Sequence, residues 1–327
     1  MTRRRPLLLS AAVLLFIGVI ASQGLRPVAA SLAAAGWGLV TVALFHLLPL
    51  VLDAAAMRVL FDARAGHGSM CDALLARWVG ESANSLMPAG QIGGPILMIR
   101  HLTRRCMLMQ DAAAAITVGT TLQTFTQIAF ALLGGALLGA RAEGPLSQQA
   151  LRVSSLIASG LLALQVGGFY WMQRRGLFEK LLRAVARFGS KRDWSQWVIR
   201  AEEIDRSVGL IYERGGPVAA SLLLNAIGWL VGTGEVYLIL WLIHHPVGWS
   251  DALLLESLGQ AIRGAAFAIP GALGVQEGGY LLLAPIVGLP PDSALALSLA
   301  KRARELMLGI PGLVYLHLSS RTHAAAV

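Results

Sequence analysis

Ionisable side chains interrupt apolar segments of this sequence at eight positions: Glu81, Glu235, Glu256, Arg263, Glu277, Arg302, Arg304 and Glu305. At the centre of a membrane, each such charge costs about 2.5–3.5 kcal/mol on insertion scales, so intramembrane charges usually face a partner or a wet cavity. Because a guanidinium can bind two phosphate oxygens at once, Arg263 and Arg304 are candidates to bind a phosphate group. Glu81 and Glu277 are candidates to receive an amine or to carry a proton.

Some of these charges have an alternative, purely structural interpretation. Lys301 lies four residues before Glu305, and Arg77 lies four residues before Glu81, which is the spacing of an ion pair on one helix. Arg263 has no carboxylate three or four residues away. It therefore needs a ligand, or a tertiary partner such as Glu81 or Glu277.

Proline and glycine interrupt two of the apolar regions near their middle. Region 73–102 contains GESANSLMPAGQIGG, and region 252–288 contains IPGALGVQEGG. A broken helix exposes backbone N–H and C=O groups that need protein or water partners inside a membrane. We therefore expect the break residues to lie in a protein interior or beside a wet cavity; they are Pro88, Gly93, Gly94, Pro270, Gly271 and Gly274.

The composition indicates a polytopic, all-α membrane protein. The 327 residues are 56% hydrophobic and only 14% charged, whereas soluble domains carry about 25% charged residues. The net charge of +9 alone would suggest nucleic-acid binding. The apolar runs favour a membrane instead, where Lys and Arg report orientation, so we expect no nucleic-acid partner.

The distribution of Lys and Arg predicts the topology. Runs of spanning length are 7–22, 36–60, 112–138, 151–173, 217–243 and 293–318. With both termini cytoplasmic, most basic residues lie on the cytoplasmic side only if the two broken regions do not cross. We therefore predict about six full spans plus two re-entrant helical hairpins, which enter from opposite faces as an inverted repeat. Chance similarity between two Pro-Gly breaks is the alternative to the repeat.

This predicted topology divides the chain into three parts. Residues 1–173 form a first membrane half with the hairpin at 73–102, and residues 215–327 form a second half with the hairpin at 252–288. Residues 174–214 form a basic amphipathic cytoplasmic segment. This segment either lies on the anionic inner leaflet or packs on the bundle as a solvated loop.

Three motifs, GESANSLMPAGQIGG, IPGALGVQEGG and KRARELMLGIPGL, resemble a flippase-like membrane family related to the lysylphosphatidylglycerol synthase transmembrane region. Within that family the chain resembles the hopanoid-biosynthesis-associated membrane proteins, and the resemblance covers nearly the whole chain. It implies movement of lipid between leaflets by a re-entrant, inverted-repeat architecture. It also implies roles for Glu81, Asn84, Pro88, Gly93, Gly94, Pro270, Gly271, Gly274, Gln276, Glu277 and Arg304.

The sequence departs from the family pattern in two respects. The family often has an acidic residue after the Gly93-Gly94 pair, where this chain has Pro95, so a symmetric pair of carboxylates is not expected. The soluble aminoacyl-transfer domain of the synthases is absent, so we do not expect lysyl transfer. Lipid movement without modification is the expectation that remains.

We therefore expect a lipid translocase of a bacterial inner membrane that moves a phospholipid or a hopanoid-type lipid, and not an enzyme. The alternatives are a membrane-embedded lipid-modifying enzyme and a non-catalytic partner subunit of hopanoid or lipid biosynthesis. No cofactor or metal is expected; the partners are membrane lipid and, in the last alternative, biosynthetic enzymes. The candidate headgroup-binding residues are Glu81, Asn84, Gln91, Arg263, Gln276, Glu277, Arg302, Arg304 and Glu305. A sugar-like headgroup would instead use Asn84, Gln91, Gln260 and Gln276.

Overall fold

The computed structural model describes residues 36–61, 68–87, 93–105, 107–141, 167–168, 170–173, 175–177, 179–180, 195–266 and 269–324. This part of the chain contains helices and turns and no strand. Its longer helices are α1 (Gly38–Arg58), α2 (Met70–Leu86), α3 (Gly93–Arg104), α4 (Met109–Arg141), α5 (Ser195–Glu213), α6 (Gly215–Leu242), α7 (Trp249–Ala265), α8 (Val275–Leu283) and α9 (Pro291–Ala324). Single turns of 3₁₀ helix lie at Pro270–Ala272 and Ala284–Val287.

Among the described residues, α1, α4 and α6 are the three helices long and apolar enough to cross a membrane. They correspond to the predicted spans 36–60, 112–138 and 217–243. The predicted span 293–318 lies within α9, whose middle carries four charged residues. The predicted span 7–22 and most of 151–173 lie outside the described residues.

The first broken region folds into an antiparallel pair of helices, α2 and α3, which we call hairpin one. Ser69 caps α2, because its hydroxyl accepts a hydrogen bond from the backbone N–H of Asp72 at 3.1 Å. At the open end of the hairpin, Asp72 lies 3.8 Å from Arg105. Near its tip, the backbone N–H of Gly94 donates to Asn84 at 2.9 Å. The two ends of region 73–102 therefore lie on the same side of the molecule.

The second broken region, α7 and α8, forms hairpin two in the same way. The helices approach closely, since a Cβ on Gly259 or on Gly279 would contact Tyr280 or Ile262 at 3.0 Å. Nearer the tip, Arg263 donates to Gln276 at 3.2 Å. As the residue number rises along α7, the number of the contacting residue falls along α8. The two helices therefore run antiparallel.

The long helix α9 contacts both hairpins, at different heights. The 3₁₀ turn that follows hairpin two ends at Val287, four residues before α9 begins. The open end of hairpin one lies near the other end of α9, where Arg105 donates to the Tyr315 hydroxyl at 3.2 Å. Between Pro291 and Tyr315 the helix rises about 36 Å. The open ends of the two hairpins therefore lie at opposite ends of α9, and their tips meet between them.

Helix α5, from the predicted cytoplasmic segment, packs against α4. Val208 and Ile211 are buried in the same apolar cluster as Ile116, and the Ser207 hydroxyl donates to Asp111 at 3.0 Å. The described residues 195–213 thus lie on the helical bundle.

Candidate functional site

A cavity of about 250 Å³ lies where the tips of the two hairpins meet. Hairpin one lines it with Glu81, Asn84 and Ser85, and hairpin two lines it with Gln260 and Arg263. Helices α1, α4, α6 and α9 complete the wall. Most of the charged groups described below face this cavity or lie directly behind its wall.

His46, on α1, lies at the centre of one charged cluster. Its Nδ1 is 2.6 Å from Glu235 on α6, and its Nε2 is 2.8 Å from Glu81 on α2. Arg304, on α9, brings Nη1 to 2.9 Å from the same Nε2 and to 3.3 Å from Glu81. Nε of Arg304 also lies 3.3 Å from Glu235. One imidazole therefore connects four helices.

Lys301 forms a second ion pair in the cavity wall. Its ammonium lies 2.6 Å from Glu256 on α7 and 3.8 Å from Glu235, and its side chain is 3% exposed. Gln260 donates to the other oxygen of Glu256 at 2.8 Å. Lys301 thus pairs between helices and not with Glu305 on its own helix, because its side chain is directed toward α7.

Glu305 is occupied by two guanidinium groups. Arg263 donates a short hydrogen bond to one of its oxygens, and Arg302 donates to the other at 3.0 Å. The partner of Arg263 is therefore Glu305, and not the Glu81 or Glu277 that the sequence suggested.

Glu277, Gln276 and Arg302 form a supporting layer behind the cavity wall. Glu277 is fully buried and accepts from the Gly274 N–H at 2.7 Å, so it caps the start of α8. Ser298 donates to Glu277 at 3.0 Å, and Gln276 donates to Ser298 at 2.9 Å. Arg302 lies 3.3 Å from Glu277. These contacts attach hairpin two to α9.

A third ion pair links α1 to α2 at another part of the cavity. Arg77 lies 2.6 Å from Asp53, and Gln123 on α4 both accepts from Arg77 at 3.1 Å and donates to Asp53 at 3.0 Å. All three side chains line the cavity. Arg77 therefore pairs with Asp53 on α1 and not with Glu81 on its own helix.

The glycines of the breaks permit close approach and tight turns. A Cβ on Gly94 would lie 2.6 Å from the carbonyl oxygen of Gly80, so α2 and α3 can touch only without a side chain there. Gly271 and Gly274 have φ of 60° and 78°, in the left-handed region that glycine adopts most easily. These residues let hairpin two reverse direction within nine residues, 266–274.

The structure places the predicted headgroup residues in three groups. Glu81, Asn84, Arg263, Arg304 and Glu305 line the cavity. Gln276, Glu277 and Arg302 lie behind its wall. Gln91 and Pro88 lie outside the described residues, whereas Pro270 begins the turn of hairpin two. Pro95, the departure from the family pattern, lines the cavity.

The sequence interpretation missed His46, Asp53 and Gln123. A signal was present, since His46 and Asp53 lie seven residues apart and therefore on one face of an apolar helix. Asp53 was not recognised because it lies near the predicted end of its span. His46 was not recognised because a single histidine hardly changes hydropathy.

Among the described residues, the ion pairs at this centre contain one carboxylate more than permanent cations. The six carboxylates are Asp53, Glu81, Glu235, Glu256, Glu277 and Glu305. The five cations are Arg77, Arg263, Lys301, Arg302 and Arg304. His46 is the remaining ionisable group, and its proton would balance the charge.

The fold and this site define a class: a helical integral membrane protein with a polar, ion-paired centre. The family model of the lysylphosphatidylglycerol synthase TM region matches residues 6–312, and the chain belongs to that family. The family links this membrane protein to lipid metabolism. No curated protein and no solved structure is similar enough to the chain to count as a match.

Proposed function

We propose that this protein moves a lipid between the two leaflets of a bacterial inner membrane without changing it chemically. The observation that carries the proposal is the charge-lined cavity between two antiparallel hairpins that approach from opposite ends of α9. If each hairpin enters the membrane from its own face, the cavity lies near mid-membrane. A polar headgroup would meet its highest barrier at this depth.

The size of the cavity suits a headgroup and not a whole lipid. Pockets for drug-sized ligands enclose about 300–1,000 Å³, whereas this cavity encloses about 250 Å³. The acyl chains would therefore remain in the bilayer while the headgroup passes through the protein. A lateral opening between helices is the path that this arrangement requires.

Arg263 and Arg304 are the residues that we propose for a headgroup phosphate. Both already have carboxylate partners, so a phosphate would replace Glu305 or Glu81 as the acceptor rather than fill an empty position. The guanidinium keeps an anionic partner in this exchange. The released carboxylate is not left alone either, because Glu305 keeps Arg302 and Glu81 keeps His46. Rocking of one hairpin against the other would then expose the site to alternate leaflets.

The lipid is a phospholipid or a hopanoid-type lipid with a sugar-like headgroup. For the second, Asn84 and Gln260 supply amides at the cavity wall, although Asn84 uses its oxygen to hold Gly94. We propose that both termini are cytoplasmic, as the distribution of Lys and Arg requires. The two hairpins would then be re-entrant.

A leaflet-resolved lipid assay tests the proposed function. Purified protein in vesicles of phosphatidylglycerol and phosphatidylethanolamine should move labelled lipid between leaflets, and mass spectrometry should show unchanged lipid. Arg304→Ala should lower the rate at least about tenfold, because it removes partners from both Glu81 and Glu235. Arg206→Ala is the matched control, since Arg206 is exposed on α5, and it should leave the rate unchanged.

The alternatives predict different results in the same assay. A lipid of altered mass would indicate a lipid-modifying enzyme. Neither movement nor modification by correctly folded protein would contradict translocation and favour a partner subunit of lipid biosynthesis. A hopanoid-specific function predicts movement only when the vesicles contain a hopanoid with a polar headgroup.

A further inference from the structure

The imidazole of His46 has neighbours that demand different protonation states. Nδ1 lies 2.6 Å from Glu235, a carboxylate, so Nδ1 carries hydrogen and donates. Nε2 lies 2.8 Å from Glu81, which can only accept, and 2.9 Å from Nη1 of Arg304, which can only donate. Nε2 can therefore satisfy one of these two neighbours at a time.

In this geometry Nε2 can form a hydrogen bond in either protonation state, but with a different partner in each. With a proton, Nε2 donates to Glu81, and Arg304 donates to Glu81 alone. Without a proton, Nε2 accepts from Arg304, and Glu81 loses its histidine donor. The ring need not move between the two states, because both partners are already within hydrogen-bonding distance.

The charge of the surroundings favours a bound proton. The charged groups that line the cavity with His46 come from its own helix and from four others: Asp53 on α1, Arg77 and Glu81 on α2, Glu235 on α6, Glu256 and Arg263 on α7, and Lys301, Arg304 and Glu305 on α9. Helix α4 contributes Gln123 to the cavity and no ionisable lining group. Among the described ion pairs there is one carboxylate more than there are cations, and a proton on His46 removes that imbalance.

We propose that His46 is a proton-binding site and that a lipid headgroup and the proton compete for Glu81. This inference rests on the proposed function, since it assigns the coupling ion of the same cavity. When a hydrogen-bond donor of the headgroup binds Glu81, the proton leaves Nε2 for water in the cavity, and Arg304 donates to the neutral ring. By linkage, protonation of His46 then weakens headgroup binding by the same factor.

Nitrogen NMR tests the proton site directly. The full-length protein would be labelled with ¹⁵N-histidine in nanodiscs of phosphatidylglycerol and phosphatidylethanolamine, and its seven histidines followed from about pH 5 to about pH 10. The signals that disappear in His46→Gln belong to His46. We expect Nε2 to titrate, with a midpoint at least about one pH unit lower in Glu81→Gln, because the charged imidazole loses a negatively charged partner.

The matched control is His101→Gln. His101 is also buried, but it contacts the ring of Tyr315 and does not line the cavity. This variant should leave the titration of His46 unchanged. A His46 ring that keeps one protonation state throughout, or a midpoint that Glu81→Gln does not move, would overturn the proton site. If His46→Gln does not fold, His46 is identified as the histidine whose midpoint moves in Glu81→Gln and not in His101→Gln. The absence of any such histidine would overturn the proton site.

Lipid movement at different pH values then tests the coupling. Wild type and His101→Gln should share one pH dependence, whereas the rate in His46→Gln should vary less than about twofold over the same range. A pH dependence that survives His46→Gln overturns the coupling while leaving translocation intact. If wild type moves no lipid at any pH, the proposed function fails, and the NMR midpoint still decides the proton site.

Discussion

Lys301 and Glu256 illustrate how single residues stabilise the centre of this protein. The two side chains are 3% and 4% exposed, and their charged atoms lie 2.6 Å apart. Removing one member of such a pair leaves an unpaired buried charge, whereas replacing both members is often nearly neutral. Replacing both residues should therefore lower the free energy of unfolding less than replacing one of them.

We predict that Lys301→Met lowers the free energy of unfolding by about 3–5 kcal/mol, because Glu256 then lacks its cation. Adding Glu256→Gln to Lys301→Met should recover at least half of that loss. Denaturant titration of the detergent-solubilised protein, followed by circular dichroism, gives these energies. Equal or greater instability of the double variant would contradict an ion pair between the two residues.

At the level of residues, the sequence predicted which charges interrupt apolar segments but not which charges pair. Hydropathy identifies Lys301 as unusual at its position, and helical spacing suggests Glu305 as its partner. Its actual partner, Glu256, is 45 positions earlier in the chain. Such a pairing depends on how α7 and α9 are placed, which no spacing along one helix encodes.

At the level of elements, the hairpins depend on glycine contacts between antiparallel helices. Gly80 and Gly94 bring α2 and α3 together, and Asn84 accepts from the backbone N–H of Gly94. The position of Glu81 in the cavity follows from this contact. If α2 and α3 moved apart by the width of a methyl group, the carboxylate of Glu81 would therefore shift within the cavity.

Gly94→Ala should destabilise hairpin one by about 1–3 kcal/mol, since the new methyl group overlaps the carbonyl oxygen of Gly80. Gly139→Ala is the matched control, because a Cβ at Gly139 in α4 meets nothing within 4 Å. Alanine should be neutral or slightly stabilising there. Thermal unfolding of both variants measures the difference, and equal melting temperatures would contradict the close contact in hairpin one.

Proline and glycine made both hairpins predictable as interruptions of apolar regions. Pro88 and Pro270 mark where a helix cannot continue, and the polar residues beside them exclude an ordinary span. The positive φ angles at Gly271 and Ala272 were not predicted. Neither were the neighbours of this turn, since a Cβ at Gly271 would lie 3.2 Å from the Ser85 carbonyl oxygen on α2 and 3.5 Å from Arg302 on α9. Sequence periodicity carries no information about those contacts.

At the level of the whole molecule, α9 sets the separation of the two open ends. The helix rises about 36 Å from Pro291 to Tyr315, which exceeds the roughly 30 Å thickness of the hydrocarbon core of a bilayer. One open end lies near each of these residues. Opposite insertion of two re-entrant hairpins would require this separation, and the insertion itself stays a prediction.

Cysteine labelling from the two sides of the membrane should separate the open ends. In Cys106→Ser, exposed Cys71 should react only with a reagent on the cytoplasmic side, and Arg105→Cys without native cysteines should react from that side too. His245→Cys, also without native cysteines, should react only from the outside. Labelling of the Cys71 and Arg105→Cys positions from opposite faces would mean that region 73–102 crosses the membrane, and would contradict re-entrance.

The position of the charged turn of α9 late in the chain affects how the protein is made. Glu81, Glu235, Glu256 and Arg263 are synthesised first, and each receives an ion-pair partner from Lys301, Arg304 or Glu305. Until the ribosome has delivered α9, these groups lack that partner inside the bilayer. The earlier helices therefore insert before their ion pairs with α9 can form, and these ion pairs form only after α9 has been synthesised. A nascent chain that stops before residue 301 would present Glu256 and Arg263 without an ion-pair partner, whereas Glu81 and Glu235 would keep His46.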